Sequence, residues 1–333
     1  MYTQEAFNDA WNRLAGRESN SQAAANFRQR LARVKFAQRY KGYFLAANGT
    51  VGANTLNNIV TMKTQPLTFP SLVLDAAAVI PPFAELEITR SNPSRTQISN
   101  EYLWNNLYAT ATVGAISNIN PTVFAETFWP QPFGLEINEL LRVRTRQTVA
   151  APAEADTEQG LMFRVVGLNK QPCPPSHWEE IEEYIKTHRE QKPVLLTTFS
   201  EDGRTITFPK LGTDERTIAT TREAREPMLL ESLCFSRPFF ASLDPSGGDT
   251  KAKIRITSSD GHSFTPQPCL LQTFFQFSGF SERGPGGGWL NWTQLPVPHY
   301  VPRGGTITVE ITDAVVVAST QNVYELLWRG STI

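Results

Sequence analysis

Apolar residues recur at helical spacing twice in the first 45 positions: Phe7, Trp11 and Leu14, then Phe27, Leu31 and Val34. The stretch from Gly16 to Ser21 separates them, so the pattern predicts two helices. Phe36 and Tyr40 point roughly opposite to the Phe27 stripe, so the second helix either ends near Lys35 or touches two surfaces. From about residue 65 the pattern becomes one of short β-branched and aromatic runs divided by strong turn signals. Asp202-Gly203 lies between Leu195–Phe199 and Thr205–Phe208, Asp260-Gly261 follows Ile254–Thr257, and Gly304-Gly305 precedes Thr306–Ile311. These dipeptides suit the positive φ angles of tight hairpin turns.

One segment breaks the strand pattern. Pro172-Cys173-Pro174-Pro175 leads to Ser176, with Glu179 three residues on, which is a capping-box start. Trp178, Ile181 and Ile185 mark one face of the predicted helix, and Pro193 closes it. Its two flanks resemble each other in order. Ile88-Thr89-Arg90-Ser91 parallels Ile256-Thr257-Ser258-Ser259, and the aromatic run Ile98–Thr110 parallels Phe264–Gln276. Trp129–Phe133 parallels Leu295–His299, Leu141–Val143 parallels Ile307–Val309, and Met162–Gly167 parallels Glu325–Gly330. The offset stays between 168 (Ile88 to Ile256) and 163 (Met162 to Glu325), as expected of a duplicated β-sandwich in which each copy buries its own core.

Composition agrees with a folded, turn-rich chain: 333 residues, 40% hydrophobic and 19% charged, with 20 Phe, 23 Pro and 21 Gly. The formal net charge of −1 gives no general attraction to nucleic acid or acidic membranes, so any such contact needs a local patch. Cys173, Cys234 and Cys269 are scattered and odd in number, which argues against a disulfide framework or a zinc site. Glu5 and Asp9 interrupt the N-terminus where a secretory signal needs an apolar core, and the best apolar run, Leu72–Ile80, contains Asp75. The expectation is a soluble protein assembled in a reducing cytoplasm.

Catalytic and metal-binding constellations are not expected, and neither is a cofactor. His177 and His188 read as solvated helix positions, His262 as a turn residue and His299 as part of a proline-flanked loop. No HxH, HExxH or GxSxG spacing occurs. Glu179, Glu180, Glu182 and Glu183 read as a solvated face, and Gly284–Gly288 as a surface loop, since no Lys-Ser/Thr follows it. The charged feature that stands out is Arg28, Arg30, Arg33, Lys35, Arg39 and Lys41, with no acidic residue between Glu18 and Asp75. Such a cluster suits lipid headgroups or nucleic-acid phosphates, or else docks on its own protein with its cations solvated.

This architecture resembles the double jelly-roll major capsid proteins of tailless icosahedral viruses, including bacteriophages with an internal membrane. The residues that carry the resemblance are the repeated Pro-x-Pro turns at Pro130/Pro132 and Pro296/Pro298, the paired closing strands and the preceding helical arm. It implies an all-β fold of two tandem jelly-roll sandwiches: a basic helical arm over 1–45, a first sandwich over 46–168, a linker with a short helix over 169–192, and a second sandwich over 193–333. It further implies a structural virion protein, assembled in the host cytoplasm as homotrimers that tile a shell with other capsid proteins. The arm would face inward, towards membrane lipid or genome. The alternative is a β-sandwich binding module, such as a phage tail, receptor-binding or carbohydrate-binding protein, with Trp289 and Trp292 as exposed aromatics of the Gly-rich loop. A cupin-type enzyme would need a cluster of His and carboxylate ligands on its barrel strands, but the first half has no histidine before His177 and the second has only His262 and His299.

Overall fold

The computed structural model describes residues 20–51, 59–79, 84–91, 102–103, 132–147, 157–169, 175–197, 206–208, 216–236, 252–270, 273, 281–283, 289–313 and 322–333. Among them are two helices, α1 (Asn20–Arg39) and α2 (Pro175–Thr187), and strands that form four antiparallel sheets. Among the described residues the fold is mostly β-sheet, consistent with the all-β expectation. The helix expected over Phe7–Leu14 lies outside the described residues.

The first half contributes β1 (Tyr40–Val51), β2 (Ile59–Lys63), β3 (Ser71–Val79), β4 (Ala84–Arg90), β5 (Tyr102–Leu103), β6 (Phe133–Leu135), β7 (Leu141–Gln147) and β8 (Thr157–Leu168). They pair in the orders β1-β8-β3-β6 and β2-β7-β4-β5. Alternation puts one side of each strand inward. Leu45, Val73, Leu135, Leu161, Phe163 and Val165 of the first sheet meet Met62, Leu86, Ile88, Leu141 and Val143 of the second.

The second half repeats this plan. Its strands are β9 (Pro193–Thr197), β10 (Ile206–Phe208), β11 (Arg216–Glu223), β12 (Met228–Ser236), β13 (Lys253–Ser258), β14 (Cys269–Leu270), β15 (Ser281–Arg283), β16 (Trp289–Val301), β17 (Thr306–Asp313) and β18 (Asn322–Thr332). One sheet runs β10-β18-β12-β16-β15, with β9 also on β18, and the other runs β11-β17-β13-β14. If β9 and β10 count as one strand and β15 as an addition, the strand order matches that of the first half. Ile88–Arg90 and Ile256–Ser258 fall on β4 and β13, Leu141–Val143 and Ile307–Val309 on β7 and β17, and Met162–Gly167 and Glu325–Gly330 on β8 and β18. Those repeated segments therefore occupy equivalent places.

Local turn signals were less reliable guides. Asp260-Gly261 does turn, with Gly261 at φ 79°, and the chain returns through a bridge between Thr257 and Ser263. Gly304 also has a positive φ of 76°, yet the turn joins β16 to β17 in different sheets and is no hairpin. Around Asp202-Gly203, itself outside the described residues, the hairpin expectation is overturned. Thr197 pairs with Leu327 and Ile206 with Tyr324, so β9 and β10 follow one another along the same edge of β18. Both run antiparallel to β18, so they are not the two arms of a hairpin. Pro296 and Pro298 are not in a turn either. Ser232 pairs with Gln294 and Leu230 with His299, so Leu295–Pro298 bulge out opposite Glu231. Proline has no N–H for a ladder, and a bulge accommodates it.

Both helices dock on the outer face of the second half. Val34 and Ala37 of α1 and Ile181 and Ile185 of α2 are buried with Leu229, Tyr300 and Ile333. On β12 the neighbouring Leu230 points into the sandwich core instead. α2 begins at Pro175, one residue ahead of the expected start, as suits proline at a first helical position. α1 runs past Lys35 to Arg39 on a single buried face; Phe36 stays 48% exposed and packs its ring on Tyr40, 5.0 Å away. β1 starts at Tyr40, inside the segment assigned to the arm.

Candidate functional site

The two halves meet along β1, which serves both. Leu45 and Ala47 enter the first core, whereas Phe44 and Ala46, on the opposite side, enter the second together with Met162. β1 is an edge strand of its sheet, and its free edge is covered by the chain between β13 and β14. The Phe44 N–H donates to the Phe264 carbonyl at 2.6 Å, and Asn48 Nδ2 donates to the Pro268 carbonyl at 2.7 Å. An edge covered this way cannot template pairing with another chain. Gly42 lets the β16 bulge approach: a Cβ there would lie 2.9 Å from the Val297 nitrogen and 3.1 Å from Pro296.

A polar cluster sits at this seam. Lys41 Nζ donates to Asp260 Oδ2 at 2.7 Å, and its side chain is only 7% accessible. Asp260 Oδ1 also accepts the His262 N–H at 3.1 Å. His262 Nε2 lies 2.9 Å from the Gly42 carbonyl, and because a carbonyl only accepts, that nitrogen carries the proton. The His262 and His299 rings stack 5.2 Å apart, and Tyr43 and Phe264 meet His262 edge-on at 4.8 and 4.6 Å. His299 Nε2 lies 3.1 Å from Ser258 Oγ and 3.9 Å from Asp260 Oδ2. Both histidines are buried. His262 closes the Asp260-Gly261 turn, as its reading has it, whereas His299 is a strand residue of β16, which corrects its reading as a loop position.

The surroundings set the charge states. Burial and the Lys41 ammonium push the His262 pKa down to about 4, against the smaller opposing effects of Asp260 and the Gly42 bond. Burial, Lys41 and His262 hold His299 well below the usual histidine value. Burial opposes the Asp260 carboxylate, but His299 once protonated, the Lys41 ammonium that also hydrogen-bonds it and the His262 N–H together keep its pKa below the ordinary range. Burial and then Asp260 raise the Tyr43 phenol to about 12. At neutral pH the cluster therefore holds one cation, one anion and two neutral rings.

Ser258, His299 and Asp260 are not placed as a hydrolytic relay. Both oxygens face the same ring nitrogen, whereas such a relay needs base and orienting carboxylate on opposite nitrogens. Among the described residues no three His, Cys, Asp or Glu side chains converge as a metal site. The seam opens into a groove of about 740 Å³, lined by Lys41, Tyr43, Asp260 and His262 on one side and by His177 and Glu180 of α2 on another.

The basic cluster divides. Arg30 is buried; it donates to the carbonyls of His188 and Arg189 at 2.7 and 3.0 Å and to that of Ile333. Arg33 pairs with Glu231 of β12, and Lys41 belongs to the seam. These three hold α1 and β1 onto the second half. Arg28, Lys35 and Arg39 remain exposed, Lys35 over the Trp178 ring at 5.8 Å and Arg39 over Tyr40 at 5.6 Å. Trp289 and Trp292 are strand residues of β16, not members of the Gly-rich loop. Trp292 is half-buried under the Arg329 guanidinium, 4.7 Å from its ring centre.

No protein-family model matches the sequence, and neither does any curated protein. Similar solved structures include a protein of Eubacterium rectale described as secreted, with 12% identity over 86% of this chain and 74% of that one, TM-score 0.24. Another is the major capsid protein P2 of bacteriophage PM2, with 8% identity over 86% and 97% of the two chains, TM-score 0.22. A third is the VP2 subviral particle of infectious bursal disease virus, with 7% identity over 89% and 73%, TM-score 0.21. At such TM-scores the likeness carries nothing about what this chain does.

Proposed function

We propose that the chain is a non-catalytic structural coat protein, a tandem pair of jelly-rolls that self-associates into a shell. The observation that carries this reading is the strand order, which occurs twice. Numbered within each half, with β9 and β10 as one, the sheets run 1-8-3-6 and 2-7-4-5. Eight strands in two facing sheets with this interleaving suit the jelly-roll, an architecture used in capsids, lectins and cupins. The seam favours the coat role among these, because it locks the two sandwiches into one rigid unit around β1, as a tile requires.

Apolar side chains on the surface are available for assembly: Ile59, Leu72, Ile137, Leu168 and Leu195 are all exposed. A homotrimer would place six such sandwiches in a pseudo-hexagonal tile within a virion, beside other capsid proteins. Arg28, Lys35 and Arg39 would then be the cations left to meet lipid or genome on an inner face. The carbohydrate-binding reading loses its support at Trp292, whose ring face is taken by Arg329.

The test is the mass of the purified native protein by light scattering after size exclusion, followed by imaging of any large species. A trimer or shell-like particle supports the coat reading. A protein that stays monomeric when concentrated overturns it.

A further inference from the structure

We propose that Lys41, Asp260, His262 and His299 form an acid-sensitive latch, which holds β1 against the second half at neutral pH and releases it when the two imidazoles take up protons. Four features of the geometry lead there. The cluster lies at the contact between the halves, and three of its four members come from the second half while Lys41 comes from β1. The imidazoles are stacked on each other and buried, so two protons would place like charges 5.2 Å apart. A proton on either ring also adds a cation beside the buried Lys41 ammonium, and the Asp260 carboxylate already serves that ammonium. Finally, His262 holds β1 directly through the Gly42 carbonyl.

The groups that face the cluster do not relieve this repulsion. β1 adds only the Tyr43 phenol and the β13 side only the Ser258 hydroxyl. Across the groove, α2 supplies His177 and Glu180, but these pair with each other at 3.5 Å. Asp260 stays charged in the closed seam through mildly acidic pH, since its pKa there is below the ordinary carboxylate range.

The sign follows from linkage. In the closed seam His262 titrates near 4, whereas a freed imidazole titrates near its ordinary value, so the open form binds more protons between those limits. Closing is thus favoured above that window and weakened as pH falls through it. At pH 5 His262 alone shifts the closed-to-open ratio by about thirtyfold towards open, and His299 adds to it.

Hydrogen exchange of the full chain from pH 7.5 to 4.5, corrected for intrinsic rates, tests the latch. Protection of β1 and residues 260–268 is expected to fall between pH 6.5 and 5, while β7 and β17 keep theirs. The double variant His262→Gln, His299→Gln is expected to lose that pH step. Unchanged seam protection in the native protein overturns the proposal, and so does a simultaneous loss at β7 and β17 or a step that survives in the variant. If the variant fails to fold, NMR titration of the native imidazoles decides. Titration near the ordinary histidine value with the seam closed overturns the latch, and titration only together with opening supports it. A monomeric protein can give any of these results, so the outcome is independent of the coat reading.

Discussion

His262 donates from Nε2 to the backbone carbonyl of Gly42, 2.9 Å away, and so a side chain of the second half holds the first strand of the first. The bond fixes the tautomer of the ring and places it against Tyr43, Phe264 and His299. Gly42 thereby has two duties, since its carbonyl accepts this bond and its missing side chain admits the β16 bulge.

Gly42→Ala tests the second duty. The added methyl meets the backbone nitrogen of Val297 at 2.9 Å, and backbone in a packed bulge yields less readily than a side-chain tip. The expected loss is about 1–3 kcal/mol of stability in urea unfolding, together with faster exchange at β1. Gly134→Ala is the matched control, because its nearest neighbour is the Ser71 oxygen at 3.8 Å, and its effect should stay within about 0.5 kcal/mol.

Arg30 and Arg28 stand two residues apart in one basic run but have opposite surroundings. Arg30→Met deprives the carbonyls of His188, Arg189 and Ile333 of a buried donor and should cost about 2–4 kcal/mol. Arg30→Lys should recover little, since a single ammonium does not span the fork of a guanidinium. Arg28→Ala, at an exposed position, should leave the melting temperature unchanged within about 1 °C. Thermal melts of the three variants separate a docking role from a solvated one.

Those contrasts show what the sequence conveyed. Trp178, Ile181 and Ile185 located α2 because helical periodicity is local and the buried face follows it. The paired segments on β7 and β17 and on β8 and β18 conveyed the duplication because equivalent core positions want similar side chains. The site was not legible. Lys41 and Asp260 are 219 residues apart, and Gly42 and His262 are 220 apart, so no local pattern joins them. The same limit misled the pairing of β9 and β10: a good turn signal predicts a hairpin unless another strand offers an edge, and β18 offers one to both.

Gly330 marks where β18 crosses the irregular step in β12 between Leu230 and Ser232. A Cβ there would overlap the Leu229 carbonyl oxygen, which is backbone and is held by the sheet. Gly330→Ala should therefore cost at least about 3 kcal/mol and depress soluble yield. Its lesion should spread to the α1–α2 docking face, where Leu229 and Ile333 are buried together. Limited proteolysis of the variant should cut within α1 before it cuts the first sandwich; equal resistance of α1 in both proteins would count against that coupling.

Tyr43 gives the seam an alkaline limit that is independent of the histidines. Burial and the nearby Asp260 carboxylate raise its phenol to about 12, so the folded form keeps the proton after the unfolded chain has released it near the ordinary value of about 10. Between those limits the unfolded state binds fewer protons, and stability must fall as pH rises. The ring is only half-buried, so the loss should be about 1–2 kcal/mol rather than the full value of such a shift. Tyr43→Phe keeps the edge-on contact with His262 and removes the ionisable group, which predicts a flatter stability curve from pH 9 to 11.5. Urea titrations across that range compare the two slopes. Parallel curves would mean that another group sets the alkaline limit and that the phenol does not sense Asp260.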